Sequence, residues 1–184
     1  LAKFPRRRNS LRLEKADYCQ PGAYFITITT NQREPIFGSI LDGKMICSRS
    51  GDLVWEVWGS LPLNYPDISI DAAVVMPDHF HGIIIIHDSI EATHRDMRAG
   101  VNSPEGKVGA IHESPLLRRR MTIPLIIGYF KMTSAKKINV LRGRPGGKVW
   151  QRGYFDHILR DDKDYDALTE YILMNPYNWL LDKE

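Results

Sequence analysis

Alternating apolar and polar residues mark the first predicted strand. Residues 22–30 read Gly-Ala-Tyr-Phe-Ile-Thr-Ile-Thr-Thr, and such aromatic and β-branched side chains favour strands. Further along, Asp42-Gly43 separates two short runs at 37–41 and 44–47. Because Asp-Gly is a typical two-residue hairpin turn, the pattern predicts one strand followed by a hairpin.

The apolar positions then change to helical spacing and back to strand runs. Between Ser50 and Leu63 they recur every three or four residues, and prolines at positions 62 and 66 close the predicted helix. Residues 68–76 and 82–87 are apolar strand-like runs. Pro77-Asp78 forms the break between these two predicted strands.

The last third of the chain predicts two long helices with extended segments between them. One helix begins at Thr122 and ends near Gly143, a plausible C-cap. Short extended segments follow within 149–159. The other helix begins at the aspartates after residue 160 and is expected to run to about Met174, because Pro176 disfavours helical backbone in the residue before it. A short terminal helix is expected to hold residues 179–181.

This order of elements predicts the fold class. Strand, helix, strand, strand, helix, strand, helix is typical of an α+β protein with a ferredoxin-like (RRM-like) antiparallel sheet and helices packed on one face. We expect a basic N-terminal arm over residues 1–20 and a single domain over 21–184. Residues 88–121 have weak periodicity and are interpreted as a long surface loop.

Composition limits the class of protein without deciding the function. The chain has 184 residues, 43% hydrophobic and 26% charged, which is ordinary for a globular domain. Its two cysteines show no metal-type spacing, so a reducing cytoplasm is expected. No apolar run approaches the ~20 residues of a membrane helix, so no membrane partner is expected.

The distribution of charge points to a polyanion. The formal net charge is only +3. Residues 118–152, however, contain no Asp or Glu and ten basic residues: Arg118, Arg119, Arg120, Lys131, Lys136, Lys137, Arg142, Arg144, Lys148 and Arg152. Nucleic acid is the first candidate partner for such a segment. A solvated basic helix is the alternative interpretation.

Two histidines lie in the polar insert between the predicted strands. If His79 and His81 lie on an extended backbone, both side chains project to one face, because strands alternate sides with period two. Two neighbouring imidazoles on a rigid strand form half of a metal site. A packing role for the two rings is the alternative, and the pair alone does not decide between them.

A tyrosine and an amide near the end of the chain are candidates for the rest of the site that the histidine pair begins. Tyr171 and Asn175 are four residues apart, so on a helix they share one face. Asn175 would add an oxygen ligand to the two imidazoles and leave positions open for phosphate oxygens. A mixed nitrogen and oxygen set suits Mn²⁺ or Mg²⁺ better than Zn²⁺. Taken alone, Tyr171 is better explained as an aromatic at the core edge, because its neighbours Leu168 and Ile172 are apolar. Asn175 alone is equally well explained as a helix-ending residue.

Other enzyme classes that use a His-x-His pair fit the sequence less well. A metallo-β-lactamase-like hydrolase requires Asp and His shortly after the pair, and Ile83–Ile86 occupy those positions. A cupin-type oxygenase requires an acid a few residues downstream, and none comes before Asp88.

Four blocks of sequence, in this order, resemble the REP-associated tyrosine transposases, a branch of the single-tyrosine HUH transposases. They are Met76–His81 (His-hydrophobic-His), Gly128–Lys131 with Lys136–Asn139, Val149–His157 and Tyr171–Pro176. The resemblance as a whole covers roughly residues 20–180. The resemblance implies a ferredoxin-like fold, His79, His81 and Asn175 as metal ligands, and Tyr171 as the nucleophile. It also implies single-stranded DNA with palindromic hairpins as the substrate.

The expected function is nicking and joining of single-stranded or hairpin DNA through a covalent 5′-phosphotyrosine intermediate, with Mg²⁺ or Mn²⁺. Trp150 and Tyr154 are candidate stacking platforms for bases. The residues expected to contact DNA are Arg118, Arg119, Arg120, Lys131, Lys136, Lys137, Arg152 and His157. The alternative is a non-catalytic, single-stranded nucleic-acid-binding module of ferredoxin-like fold. The sequence leaves monomer and homodimer open.

Overall fold

A computed structural model describes residues 20–88 and 122–181 of the chain. The elements of this part are β1 (Gly22–Thr29), a 3₁₀ turn (Asn31–Arg33), β2 (Gly38–Leu41), β3 (Lys44–Cys47), α1 (Arg49–Gly59), α2 (Leu61–Asn64), β4 (Ile68–Val75), β5 (His79–Ile86), α3 (Thr122–Leu141), β6 (Phe155–Leu159) and α4 (Asp162–Leu181). The expected arm and the expected long loop lie outside the described residues, apart from residues 20 and 88. So do three candidate DNA contacts: Arg118, Arg119 and Arg120.

Four strands form one antiparallel sheet in the order β4-β5-β1-β6, and β2 pairs with β3 in a separate hairpin. Leaving the hairpin and the short α2 aside, the chain runs β1, α1, β4, β5, α3, β6, with β5 and β1 central in the sheet. This connectivity and strand order are those of a ferredoxin-like fold. The predicted α+β class is therefore confirmed.

The period-two alternation of the central strands divides the sheet into two apolar faces. On one face, Tyr24, Ile26 and Ile28 of β1 belong to a core shared with α1 and α3. The predicted packing of helices on one face holds for these two helices. On the other face, Phe25 of β1 belongs to a second core with Leu168 and Ile172 of α4. The last helix thus adds a layer behind the sheet.

The predicted hairpin turn and the predicted glycine at the end of α3 are confirmed, whereas the predicted role of Pro62 is wrong. Asp42 and Gly43 join β2 to β3 with φ of 49° and 70°, and Gly143 follows α3 with φ of 61°, the left-handed conformation that glycine adopts most easily. Pro62 does not close the first helix, because α1 ends at Gly59 and Pro62 lies in the first turn of α2 (Leu61–Asn64). In the described part of the chain, no helix is both long enough and apolar enough to cross a bilayer.

The predicted end of the last helix near Met174 is wrong. α4 continues through Pro176 to Leu181, although proline has no N–H to donate to the carbonyl one turn earlier. Packing beyond the proline explains the difference. A Cβ on Gly43 would lie 3.2 Å from the Tyr177 ring, and the Trp179 ring centroid is 5.6 Å from that of His79. Tertiary contacts there outweigh the local cost of the proline.

Candidate functional site

A tight turn between β4 and β5 presents the histidine pair. The Met76 amide donates to the His79 carbonyl at 2.8 Å, so Pro77 and Asp78 form the centre of the turn. The Asp78 carbonyl accepts from both the amide and the hydroxyl of buried Thr30, at 2.8 and 2.9 Å. The turn is therefore fixed to the end of β1, and β5 begins at a defined position.

The two histidine side chains project to the same face, as period-two alternation predicts. In the β1–β5 register His79 lies opposite Thr29, and His81 lies opposite Thr27. The imidazole centroids are 4.6 Å apart, with the rings inclined at 74°. His81 also stacks on Phe25, with centroids 5.3 Å apart. The pair therefore lies on the face that α4 covers.

Each imidazole is oriented by a partner at its Nδ1 atom. His79 Nδ1 lies 2.5 Å from Asp78 Oδ1, and His81 Nδ1 lies 2.8 Å from the Thr27 hydroxyl. A ring whose Nδ1 donates to such a partner presents the lone pair of Nε2 on its opposite side. Metal-binding histidines are typically held by a carboxylate or another polar group at the second nitrogen. Both rings have this arrangement.

The Nε2 atom of His81 is the unexplained polar atom of the site. His81 is only 4% exposed, and its Nε2 has no hydrogen-bond partner among the described residues. Buried polar atoms almost always have a partner. Burial, with the neighbouring His79 as a second cause, holds the pKa of His81 well below its usual value. A neutral imidazole with a buried, unsatisfied nitrogen is suited to bind a cation.

Asp78 connects His79 to a cation at the surface. Burial alone would raise the pKa of the Asp78 carboxyl, but the hydrogen bond and charge of His79, together with Arg33, lower it below its usual value. The Arg33 guanidinium lies 3.4 Å from Asp78 Oδ2, and its side chain is 63% exposed. The carboxylate is therefore ionised at neutral pH and accepts from both neighbours.

α4 brings the predicted tyrosine to the histidines. The Tyr171 ring centroid is 5.3 Å from that of His81, with an edge-on angle of 68°, and 6.1 Å from that of Phe25. Asn175 follows one turn later and is only 8% exposed. Asn175 lies on the same side of α4 as Ile172, which packs in the core of that sheet face, and as Trp179, whose ring contacts His79. All four predicted site residues are on one side of the sheet.

Sequence reasoning missed four members of this site. Trp179, whose ring lies over His79 at 38°, was assigned to a separate helix because of Pro176. The supporting contacts of Thr27 and Arg33 depend on strand pairing and on a turn, and no local pattern encodes them. Asp78 was seen only as a turn residue, although its place beside the pair was the available signal.

The donor set is small. No group of three or more His, Cys, Asp or Glu side chains suited to a metal occurs within residues 20–88 and 122–181. A metal centre in this part of the chain therefore has to combine the two imidazoles with a donor of another type, such as the Asn175 amide.

Two of the three expected DNA contacts on α3, Lys131 and Lys137, have partners within the protein. The Lys131 ammonium donates to the carbonyls of residues 151, 152 and 153 at 2.6, 3.0 and 3.0 Å, and burial lowers its pKa. Lys137 pairs with Glu56 at 2.5 Å. Lys136 is exposed.

The remaining residues that were expected to contact DNA differ in exposure and in partners. Arg152 is exposed. His157 pairs with Asp164 at 2.8 Å and ties β6 to the first turn of α4. Trp150 and Tyr154 are only 8% and 9% exposed. Neither ring is placed to stack on a base, so that expectation was wrong.

This chain is similar to a protein known from its sequence and, more distantly, to several solved structures. A protein of Haemophilus influenzae (strain Rd KW20), described as uncharacterized, is 35% identical over 179 residues, which cover 96% of this chain and 92% of that protein. No family model matches. A REP-associated tyrosine transposase bound to a REP hairpin is similar at a TM-score of 0.48 and 19% identity, over 97% of this chain and 74% of that chain.

A proposed transposase from Deinococcus radiodurans R1 is similar at a TM-score of 0.46 and 14% identity, over 88% of this chain and 95% of that chain.

Proposed function

We propose that this chain, which belongs to the same family as the Haemophilus influenzae protein, is a metal-dependent enzyme that nicks and rejoins single-stranded DNA through Tyr171. One observation carries the proposal. A phenol lies 5.3 Å, ring to ring, from a histidine whose partner imidazole is 4.6 Å away and whose buried Nε2 has no hydrogen-bond partner among the described residues. The four sequence blocks described above independently support the same reaction.

The residues present fit a divalent ion. Two Nε2 atoms on neighbouring rings and the amide oxygen of Asn175 give a nitrogen and oxygen donor set of the kind that Mn²⁺ and Mg²⁺ accept. His79, His81 and Asn175 would hold the ion. When bound, it would polarise the phosphodiester and offset the charge that develops on its oxygens.

Tyr171 would supply the nucleophile. A phenol has a pKa of about 10, so its proton must be removed during attack, and a nearby cation favours this loss. The phenolate oxygen forms a bond to phosphorus as the bond to the 3′ oxygen breaks, and a proton is returned to that leaving oxygen. The products are a 5′-phosphotyrosine link and a free 3′-hydroxyl. The link conserves the bond energy, so a 3′-hydroxyl can reverse the step without ATP.

Helices cover both faces of the sheet, and this disfavours the alternative function, a non-catalytic module that binds single-stranded nucleic acid. RRM modules bind single strands on an open sheet face through exposed aromatic side chains. Here one face packs against α1 and α3, and the other packs against α4. A non-catalytic module of that type therefore has no free sheet surface in the described part of the chain.

The test is the covalent adduct. Wild-type protein is incubated with end-labelled single-stranded hairpin oligonucleotides and Mn²⁺, and a denaturing gel should show label that migrates with the protein. Tyr171→Phe should form no adduct, because only the hydroxyl is lost. Tyr177→Phe is the matched control, since Tyr177 lies on the same helix and is 55% exposed.

Two results would count against the proposal. An adduct of equal yield in Tyr171→Phe would show that another group is the nucleophile. Tight DNA binding without any adduct, over a set of hairpins and both metals, would favour the binding module.

A further inference from the structure

We propose that the backbone of the single-stranded DNA crosses a basic ridge formed by Arg33, Lys148 and Arg152, at the end of the sheet where β5 begins. The inference rests on the proposed function for its ligand class. It differs from the sequence expectation in placing the strand beside the histidine pair rather than along the outer face of α3.

Backbone hydrogen bonds bring together the two segments that carry the three residues of the ridge. The Asn31 amide donates to the Val149 carbonyl at 2.7 Å, and the Gln151 amide donates to the Thr29 carbonyl at 2.9 Å. Thr30 and Trp150 form an antiparallel bridge between these bonds. Residues 149–151 therefore run beside the end of β1, with Lys148 and Arg152 on either side of the bridge. Arg33 follows three residues after Thr30.

The segment that carries Arg152 is rigidly held. Lys131 donates to three successive carbonyls, those of Gln151, Arg152 and Gly153. Its long side chain reaches from α3 and is itself half-buried. Ordering the segment in advance lowers the entropy lost when a ligand binds. In this arrangement Lys131 supports the ridge from behind and does not contact the ligand.

The cations of the ridge are available to a ligand, unlike most of those on α3. Lys148 and Arg152 are exposed and form no ion pair with any described residue. Arg33 contacts Asp78 through one nitrogen at 3.4 Å, and a guanidinium has five N–H groups. By contrast, Lys137 is paired with Glu56 at 2.5 Å.

Acidic groups are neutralised at this end of the sheet and accumulate at the other. Beside the ridge, Glu34 pairs with Arg142 at 3.0 Å, and Asp78 is buried between His79 and Arg33. At the opposite end, where β4 begins and β5 and β6 end, the exposed acids are Asp67, Asp88, Asp161 and Asp162. Such a separation would orient a polyanion toward the ridge.

The ridge is connected to the histidine pair through Asp78. Arg33 contacts Asp78, and Asp78 contacts His79. A strand held by phosphate contacts at Lys148, Arg152 and Arg33 would therefore have its next phosphates at the histidine pair. Phosphate contacts of this kind set the position of a strand without reading its bases.

The experiment measures the salt dependence of binding. A 5′-fluorescein single-stranded 12-mer is titrated into Tyr171→Phe protein without metal, and anisotropy gives the affinity at several NaCl concentrations. Each lost phosphate contact reduces the slope of log K against log salt by about 0.7 for a single strand. The double variant Lys148→Gln/Arg152→Gln should therefore lose about 1.4 of slope, with roughly tenfold weaker binding near physiological salt.

The control has the same change of charge elsewhere. Arg160→Gln/Lys163→Gln removes two exposed cations at the acidic end of the sheet, and should leave the slope unchanged. An equal loss of slope in the control, or none in the ridge variant, would overturn the ridge. So would equal competition by an unlabelled duplex of the same length, or by polyglutamate.

Failure of the ridge and failure of the proposed reaction give different results. Because binding is measured without Tyr171 chemistry, the slopes test only the surface. A ridge-dependent slope with no adduct in the wild-type assay would support the ridge and reject the nucleophile. Normal adduct formation with unchanged slopes would reject the ridge alone. Arg33→Gln should lower the slope by about 0.7 while its fold remains that of the wild type by circular dichroism.

Discussion

At the scale of single residues, the site depends on two hydrogen bonds that set which nitrogen each imidazole presents. Thr27 and Asp78 hold Nδ1 of His81 and His79, so both Nε2 atoms are available on the opposite side of the rings. The donor set is small, so loss of one orienting bond should weaken metal binding even though no ligand is removed.

Thr27→Val is the sharpest test of this orientation. It replaces the hydroxyl by a methyl group of similar size, so His81 keeps its packing but loses the bond at Nδ1. We expect Mn²⁺ affinity, measured by isothermal titration calorimetry, to fall about 10- to 100-fold. Thr29→Val is the control, because Thr29 lies on the same strand face, opposite His79. Equal affinities in wild type and Thr27→Val would show that the hydroxyl does not orient the ring.

The lowered pKa of His81 predicts a pH dependence of stability. Its unfolded-state pKa is about 6.5, and burial followed by the charge of His79 lowers the folded-state pKa well below this. Below pH 6.5 the unfolded chain therefore binds more protons, and the free energy of unfolding falls as pH falls. Between pH 7.5 and 5.5 this group contributes a loss of up to about 1.4 kcal/mol.

Urea unfolding without divalent metal, at both pH values, checks this prediction. His81→Gln should lose less stability between the two, whereas His87→Gln, at an exposed position, should behave as the wild type does. If His81→Gln loses as much unfolding free energy between the two pH values as the wild type does, the loss comes from another group.

At the scale of elements, β5 is shaped on both of its faces. His79 and His81 project toward α4, while Gly82 lies against the opposite core. A Cβ on Gly82 would approach two ring atoms of Trp58 at 2.6 and 2.9 Å, and Trp58 is only 1% exposed. The glycine next to the histidine pair is thus explained by packing and not by chemistry.

Two glycine substitutions test this explanation. Gly82→Ala should lower the free energy of unfolding by about 1–3 kcal/mol, because the Trp58 ring must move in a packed core. Gly128→Ala, on α3 where nothing lies within 4 Å of the new Cβ, should raise it by about 0.5–1 kcal/mol through helix propensity. Urea unfolding measures both. A Gly82→Ala variant as stable as the wild type would show that the core yields without cost.

Local sequence patterns predicted which side chains share a face, but not the contacts between distant segments. Period-two alternation was enough to place His79 and His81 on one face, and helical spacing placed Tyr171 and Asn175 together. The local rule for proline failed at Pro176 because contacts of Tyr177 and Trp179 with distant residues extend α4. Likewise the bond of Thr27 to a histidine 54 residues away follows from strand pairing, which local periodicity does not encode.

At the scale of the whole molecule, α4 is a separate layer connected to the sheet face that carries the histidines. Apolar packing by Leu168 and Ile172 holds the layer in place. The proposed ligands are divided between the two parts: the imidazoles are on the sheet and the amide is on α4. A bound ion would therefore join the layers, and metal binding should be coupled to the stability of the fold.

This coupling gives a prediction that separates the metal from the nucleophile. At an Mn²⁺ concentration 100 times its dissociation constant, the folded state gains about 2.7 kcal/mol, a rise in melting temperature of about 5–10 °C for a chain of this length. Tyr171→Phe should keep the whole shift because it removes no ligand, and Asn175→Ala should lose most of it. Differential scanning calorimetry with Mn²⁺ and with EDTA measures each value. A full shift in Asn175→Ala would mean that the ion is held by the sheet alone, and α4 would then contribute only its phenol.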